Sequence, residues 1–291
     1  MAIAARQSLA LETLLKLGRV SNLPTVWTNV LAGTVLAGGN PWSARTCIVV
    51  LAMSLFYIGG MFLNDYCDRN VDALERPRRP IPAGEISEKV VAVIALALLA
   101  AGMTLVAMFG VMAAAVGLVL ALAILGYDFY HKRNPLAPII MGLCRALVYC
   151  AAASAAVGGV SGTVGVAAGA VLAFTAGLTY AAQQENLDKI GNLWPLLLLA
   201  VPMIVSLPAV RHGILAIVVY LGLAVCVSYA VYLLGRLPVP GSVPRAVGYL
   251  IAGISLVDAA LLASADAIVP ALIAGAGFAA TLLLQKYIPG T

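Results

Sequence analysis

Ten apolar runs follow one another along this chain, each about the 17–25 residues a helix needs to cross the hydrocarbon of a bilayer. They fall near residues 21–39, 44–64, 87–109, 111–130, 136–157, 162–182, 193–209, 212–234, 245–264 and 267–287. A water-soluble chain could not hide so much apolar surface, because most of its own surface must face water. Lipid removes that problem and favours spans that satisfy their own backbone hydrogen bonds. Composition agrees: 63% of the 291 residues are hydrophobic, 10% are charged, and the mean hydropathy is +1.03. The seventh run, LWPLLLLAVPMIVSLPAV, is short and carries three prolines, which predicts a tilted, kinked or incomplete span. The expected fold class is all-α: a polytopic membrane protein of nine or ten transmembrane helices.

The net charge of +5 raises the possibility of a nucleic-acid partner, but its distribution argues against one. With alternating spans, 14 of the 17 basic residues fall on one side: Arg6, Lys16, Arg19, Arg69, Arg76, Arg78, Arg79, Lys89, Lys132, Arg133, Lys189, Arg236, Arg245 and Lys286. Arg45 and Arg211 lie opposite, and Arg145 lies inside a span. The positive-inside rule then puts the N-terminus in the cytoplasm. No basic patch with interleaved aromatics suggests nucleic-acid binding. The expected location is a bacterial inner (plasma) membrane.

Residues 1–291 read as a single domain, with no repeat or linker. Residues 1–20 lack a cleavage pattern and carry Glu12 and Lys16 within an apolar stretch, so no signal peptide is expected. Leu11, Leu14 and Leu15 share one helical face, which predicts a short interfacial helix. The five cysteines form no C-x-x-C pair and read as small apolar packing residues.

The chemistry begins at NDYCDRNVD, Asn64 to Asp72, at the end of the second run. Asp65, Asp68 and Asp72 are spaced i, i+3, i+7, so at about 100° per residue they share one narrow helical face, which Asn64 can join. Three anions so close repel one another unless a cation sits among them. Oxygen ligands without His or Cys suit Mg²⁺, which takes one or two carboxylates and completes its shell with water and phosphate oxygens. Arg76, Arg78 and Arg79 follow at once, and guanidinium forks match phosphate oxygens. A plain surface salt-bridge network would account for any single pair. It does not account for the whole face followed by three arginines.

A second cluster, TYAAQQENLDKIGN, brings Tyr180, Gln184, Glu185, Asp188 and Lys189 to the same side after the sixth run. A third, YDFYHKRN, carries Tyr127, Lys132 and Arg133; Lys132 is the candidate diphosphate contact and Arg133 reads as a topology charge. Arg145 lies well inside an apolar span, where an arginine usually faces a cavity or a partner. Asp258 is equally rare, and the sequence names no partner for it. His131 and His212 read as interfacial residues.

Asn64-Asp65-x-x-Asp68-x-x-x-Asp72 with Arg79-Pro80-Ile81-Pro82-x-Gly84 closely resembles the first aspartate-rich motif of the UbiA superfamily of intramembrane prenyltransferases. Tyr127 to Arg133 resembles that family's Y-S-x-x-x-K-R stretch, and Tyr180 to Gly191 stands where its second aspartate-rich motif belongs. The resemblance implies a ring of helices around a cavity open to lipid. It implies two Mg²⁺ ions, held here by Asp65, Asp68 and Asp72 on one side and by Glu185 and Asp188 on the other. They would anchor a prenyl diphosphate for transfer to an aromatic or other lipophilic acceptor. Asp65, Asp68, Asp188 and Lys132 would carry catalysis; Asn64, Asp72, Arg76, Arg79, Tyr127, Arg145, Tyr180, Gln184 and Lys189 would bind substrate. Two positions depart from the pattern: Gln183 and Gln184 stand where aspartates are usual, and Arg145 replaces a small or amide residue.

The mechanism that fits is metal-assisted ionisation, with metals and Arg/Lys stabilising the leaving diphosphate and aromatic faces the carbocation at prenyl C1. Tyr57, Phe62, Tyr66, Tyr127, Tyr149 and Tyr180 are candidate wall residues. The alternative is a UbiA-like protein that binds or transports a lipid-linked or polar molecule without catalysis, which the altered second motif favours. A plain secondary transporter ranks third, since matching broken helices in two halves are not visible.

Overall fold

The computed structural model describes residues 11–132, 134–183, 192, 194–235, 239 and 241–290. Their regular structure is all helical, with no strand among them. The long helices are α1 (Leu23–Leu36), α2 (Ala44–Glu75), α3 (Glu88–Ala107), α4 (Val111–Tyr130), α5 (Ala137–Val157) and α6 (Gly162–Gln183). After a broken span containing the five-residue α7 (Val201–Val205) come α8 (Ile214–Leu234), α9 (Ser242–Ser264) and α10 (Ile268–Gln285). Among the described residues nine segments are long and apolar enough to cross a membrane. The chain is an integral membrane protein.

The spans follow the apolar runs with three informative differences. The first run forms only the 14 residues of α1 as α-helix, about 21 Å long at 1.5 Å per residue and shorter than a bilayer core. It is not among the nine. The seventh run does count, but the prolines Pro195, Pro202 and Pro208 break it into 3₁₀ turns around α7. The second run does not stop at residue 64. α2 continues for 32 residues to Glu75, so the aspartates extend a membrane helix rather than follow one. Ser43 caps its start, accepting a hydrogen bond from the Thr46 N–H at 3.2 Å. Pro77 ends it, since the residue before a proline is pushed out of the helical region.

Sequence neighbours pack as spatial neighbours, and α1 closes the assembly by packing on α2, α5, α9 and α10. Two apolar clusters share α1 and α5: one joins them to α2, α3 and α4, the other to α6, α8, α9 and α10. α9 is the most buried span, while α3, α4 and α10 turn most of their surface outward. Large apolar side chains such as Val93, Leu96, Leu122 and Leu283 stand exposed there, as lipid-facing residues should.

Small residues set the closest approaches, which is how helices gain contact when lipid offers no hydrophobic drive between them. A Cβ on Gly33 of α1 would lie 2.7 Å from the Tyr149 carbonyl oxygen of α5. One on Gly142 of α5 would lie 2.5 Å from the Leu172 carbonyl oxygen of α6. The Gly33 contact holds α1 against α5 one turn from Asn29, and so helps to build the cavity.

Candidate functional site

Because α2 runs on past its apolar stretch, its aspartates are carried on a packed helix. Asn64, Asp65, Asp68 and Asp72 are all buried, between 4% and 8% exposed. Each carboxylate is held by basic groups. Arg79 donates to Asp65 at 2.9 Å and to Asp72 at 3.1 Å, bridging the two ends of the face. Arg19 reaches Asp65 at 3.3 Å. Lys132 and His131 reach Asp68 at 3.2 and 3.4 Å. Burial works against a charge on the His131 imidazole, but its contact with Asp68 prevails and lifts its pKa above the ordinary histidine value.

Arg19 and His131 are therefore site residues that sequence reading assigned to topology and to the interface. Arg19 adopts a left-handed backbone (φ 42°, ψ 46°), a conformation disfavoured for a residue with a Cβ and often retained at functional positions. Asp128 is a third. It is 4% exposed and its Oδ1 accepts from Asn64 Nδ2 at 3.2 Å. Its Oδ2 is buried without a hydrogen-bond partner among the described residues. The pairing of α2 with α4 reveals the roles of His131 and Asp128, and the chain entering α1 brings Arg19 to α2; no local spacing signals them.

Asn64, Asp68, Asp72, Arg76, Arg79, Tyr127, Lys132 and Arg145 line one cavity of ≈ 670 Å³ between the helices. Tyr57 and Met61 wall it below the carboxylates, and Thr175, Leu178 and Ile254 close the far side. A smaller apolar annex of ≈ 70 Å³ between α2, α4 and α5 shares Tyr57, Tyr127 and Arg145 and adds Asp128. Of the expected aromatic walls, Tyr57 and Tyr127 line the cavity. Tyr149 and Phe62 are core residues. Tyr66 lies under the Arg69 guanidinium at 4.3 Å. Tyr180 donates its hydroxyl to the Asn192 carbonyl oxygen at 2.7 Å. Gln184, Glu185, Asp188 and Lys189 lie outside the described residues.

Among the described residues no three His, Cys, Asp or Glu side chains converge on one metal position. The donor set nevertheless fits Mg²⁺. Its candidate donors are the carboxylate oxygens of Asp65, Asp68 and Asp72, and each carboxylate already faces a positive group. Mg²⁺ needs no more than one or two of them if phosphate oxygens and water complete its octahedron.

The fold and this site together define a class: an intramembrane protein whose helices enclose a cavity with an acidic helix face and basic groups at one end. The UbiA prenyltransferase family model matches residues 25–265, and the chain belongs to that family. A digeranylgeranylglyceryl phosphate synthase from Methanothrix thermoacetophila is 32% identical over 126 residues, covering 43% of this chain and 47% of that protein. The chain thus matches about half the length of this curated relative. A UbiA homolog from Aeropyrum pernix K1 superposes with a TM-score of 0.67 at 18% identity, covering 82% of this chain and 96% of the other. Another, from Archaeoglobus fulgidus and bound to GPP and Mg²⁺, gives a TM-score of 0.59 at 17% identity, covering 88% and 99%. At such identities the likeness is one of fold.

Proposed function

We propose that the protein transfers a prenyl group from a prenyl diphosphate to an aromatic or other lipophilic acceptor within the membrane. One observation carries this reading: a buried oxygen-only face on α2, ringed by Arg19, Arg79, His131 and Lys132, opens on a cavity large enough for a substrate. Asp65 and Asp68, with Asp72, would hold Mg²⁺, and Glu185 and Asp188 would hold a second ion. The metal's contribution is to offset the charge that grows on the leaving diphosphate.

The chain's own groups do the rest. Arg79 is released from Asp65 and Asp72 to bind phosphate oxygens, joined by Lys132, Arg76 and Lys189. Asn64, Gln184 and Tyr180 position the head group, while the rings of Tyr57 and Tyr127 face the developing carbocation. The apolar walls exclude water that would otherwise capture it. The N-terminus and both acidic clusters face the cytoplasm of a plasma membrane, a reading supported by the basic residues gathered at that end.

The test is Mg²⁺-dependent binding of geranyl diphosphate by purified protein, and release of its diphosphate when aromatic and other lipophilic acceptors are supplied to take the prenyl group. Asp65→Ala or Asp68→Ala should abolish both while the variants still insert into the membrane. Unchanged diphosphate release by Asp68→Ala would end the catalytic reading. The neutral Gln183 and Gln184 favour a second reading, a non-catalytic UbiA-like carrier; donor binding without diphosphate release would support it.

A further inference from the structure

Arg145 and Asp258, the two charges inside apolar spans, belong to one buried chain. Arg145 Nη1 donates to the Asn29 Oδ1 at 3.0 Å. Asn29 Nδ2 donates to both oxygens of Asp258 at 2.9 Å each. The Tyr149 hydroxyl donates to the same carboxylate. Asn29, Tyr149 and Asp258 are fully buried. The Asn29 amide has one sensible orientation, since its nitrogen must face the carboxylate and its oxygen the guanidinium.

The arrangement leaves Arg145 without a direct counter-ion. A guanidinium carries five N–H donors. Among the described residues one has an acceptor, and the Tyr57 ring covers the group at 5.5 Å. Arg145 lines both the large cavity and its apolar annex. A cation set in an apolar span is costly unless an anion or a polar cavity offsets it. Here the only carboxylate in its chain is reached through a neutral carboxamide. The fold presents the charge to the cavity instead of neutralising it.

This position is distinct from the diphosphate site. Tyr57, which marks the depth of Arg145, precedes Asp65 by eight residues of α2, a rise of about 12 Å. Apolar side chains of the annex, among them Phe56, Met61 and Ile124, lie around that interval. A molecule whose nucleophile meets prenyl C1 below the diphosphate therefore has room to extend its other end to Arg145.

Resting on the prenyl-transfer reading, we propose that Arg145 determines acceptor specificity by binding an oxyanion, a carboxylate or a phosphate, carried on the acceptor. Asn29 and Asp258 are positioning residues that hold the guanidinium in place. The two charges buried in apolar spans thus form one recognition device.

Phenylglyoxal labelling of Arg145, followed by peptide mass spectrometry on the purified full chain, tests this. The probes are 1-naphthoate, 1-naphthyl phosphate and 1-naphthol, with geranyl diphosphate and Mg²⁺ binding measured in the same preparation. Naphthoate or naphthyl phosphate should slow labelling, the better one identifying the acid, while naphthol should not. Asp258→Asn and Asn29→Leu should each raise the half-protecting concentration about tenfold, as loss of a charged hydrogen bond implies, with donor binding unchanged. Should one variant fail to fold, the other together with the wild-type probe series decides. If neither anion protects Arg145 in protein that binds the donor, the proposal is overturned. Protein that binds no geranyl diphosphate would overturn the prenyl-transfer reading, and the proposal with it.

Discussion

Arg79 shows how one residue can serve two states of a site. It bridges Asp65 and Asp72 across the buried face, and only 18% of its side chain is exposed. Removing it takes from Asp72 its guanidinium partner and leaves Asp65 with Arg19 alone among the described residues, and breaking such a buried pair costs about 3 kcal/mol or more. A metal ion would restore the missing charge. Arg79→Gln should therefore lower the Tm of detergent-solubilised protein markedly in EDTA and much less in millimolar Mg²⁺. Equal shifts in both would mean that no cation replaces the guanidinium. The carboxylate face itself was legible because it is a local, helical spacing. Its partners were not, because Arg19 lies 46 residues from Asp65, and Asn29 lies 229 residues from the Asp258 it holds. Contacts at such separations leave no periodic trace in the sequence, so Arg145 read as a binding residue and Asp258 as a puzzle.

At the scale of elements, apolar length and proline placement were enough to locate the spans, but not their ends. Residues 64–72 read as a helical face beyond the end of the second run, and packing against α4 and ion pairs with Arg19 and Arg79 hold that face as an unbroken continuation of α2 to Glu75. How closely the helices approach is set by single glycines, and these differ sharply. A Cβ on Gly33 meets α5 backbone at 2.7 Å, whereas one on Gly169 of α6 has open space around it. Gly33→Ala must push α1 away from α5, at an overpacking cost of about 1–3 kcal/mol, and move Asn29 relative to Arg145. Gly169→Ala should be neutral or stabilise by up to about 1 kcal/mol, since alanine is the better helix former. Thermal unfolding of the two variants side by side checks this. A Gly33→Ala protein as stable as the Gly169→Ala protein would contradict the close approach.

Across the whole molecule, the asymmetry of charge and the placement of the cavity have to agree. α2 ties them together: Arg45 stands at its start, and Arg78 lies just beyond its end. The 33-residue interval between them corresponds to about 50 Å if helical, enough to cross a bilayer with its head groups. Arg45 donates to the Ala155 carbonyl oxygen near the end of α5, whereas Lys132 pairs with Asp68 near the other end of α2. If the acidic face is cytoplasmic, as the basic residues argue, one impermeant reagent can read the orientation. The five native cysteines must first be replaced, because Cys47 is itself exposed two residues from Arg45. In that background, cysteines at positions 78, 132 and 189 should label only in inverted vesicles, and one at position 45 only in right-side-out vesicles. Position 189 is decisive for the chemistry. Labelling there from the face opposite position 78 would separate the two acidic clusters by the membrane, and no single diphosphate could bridge them.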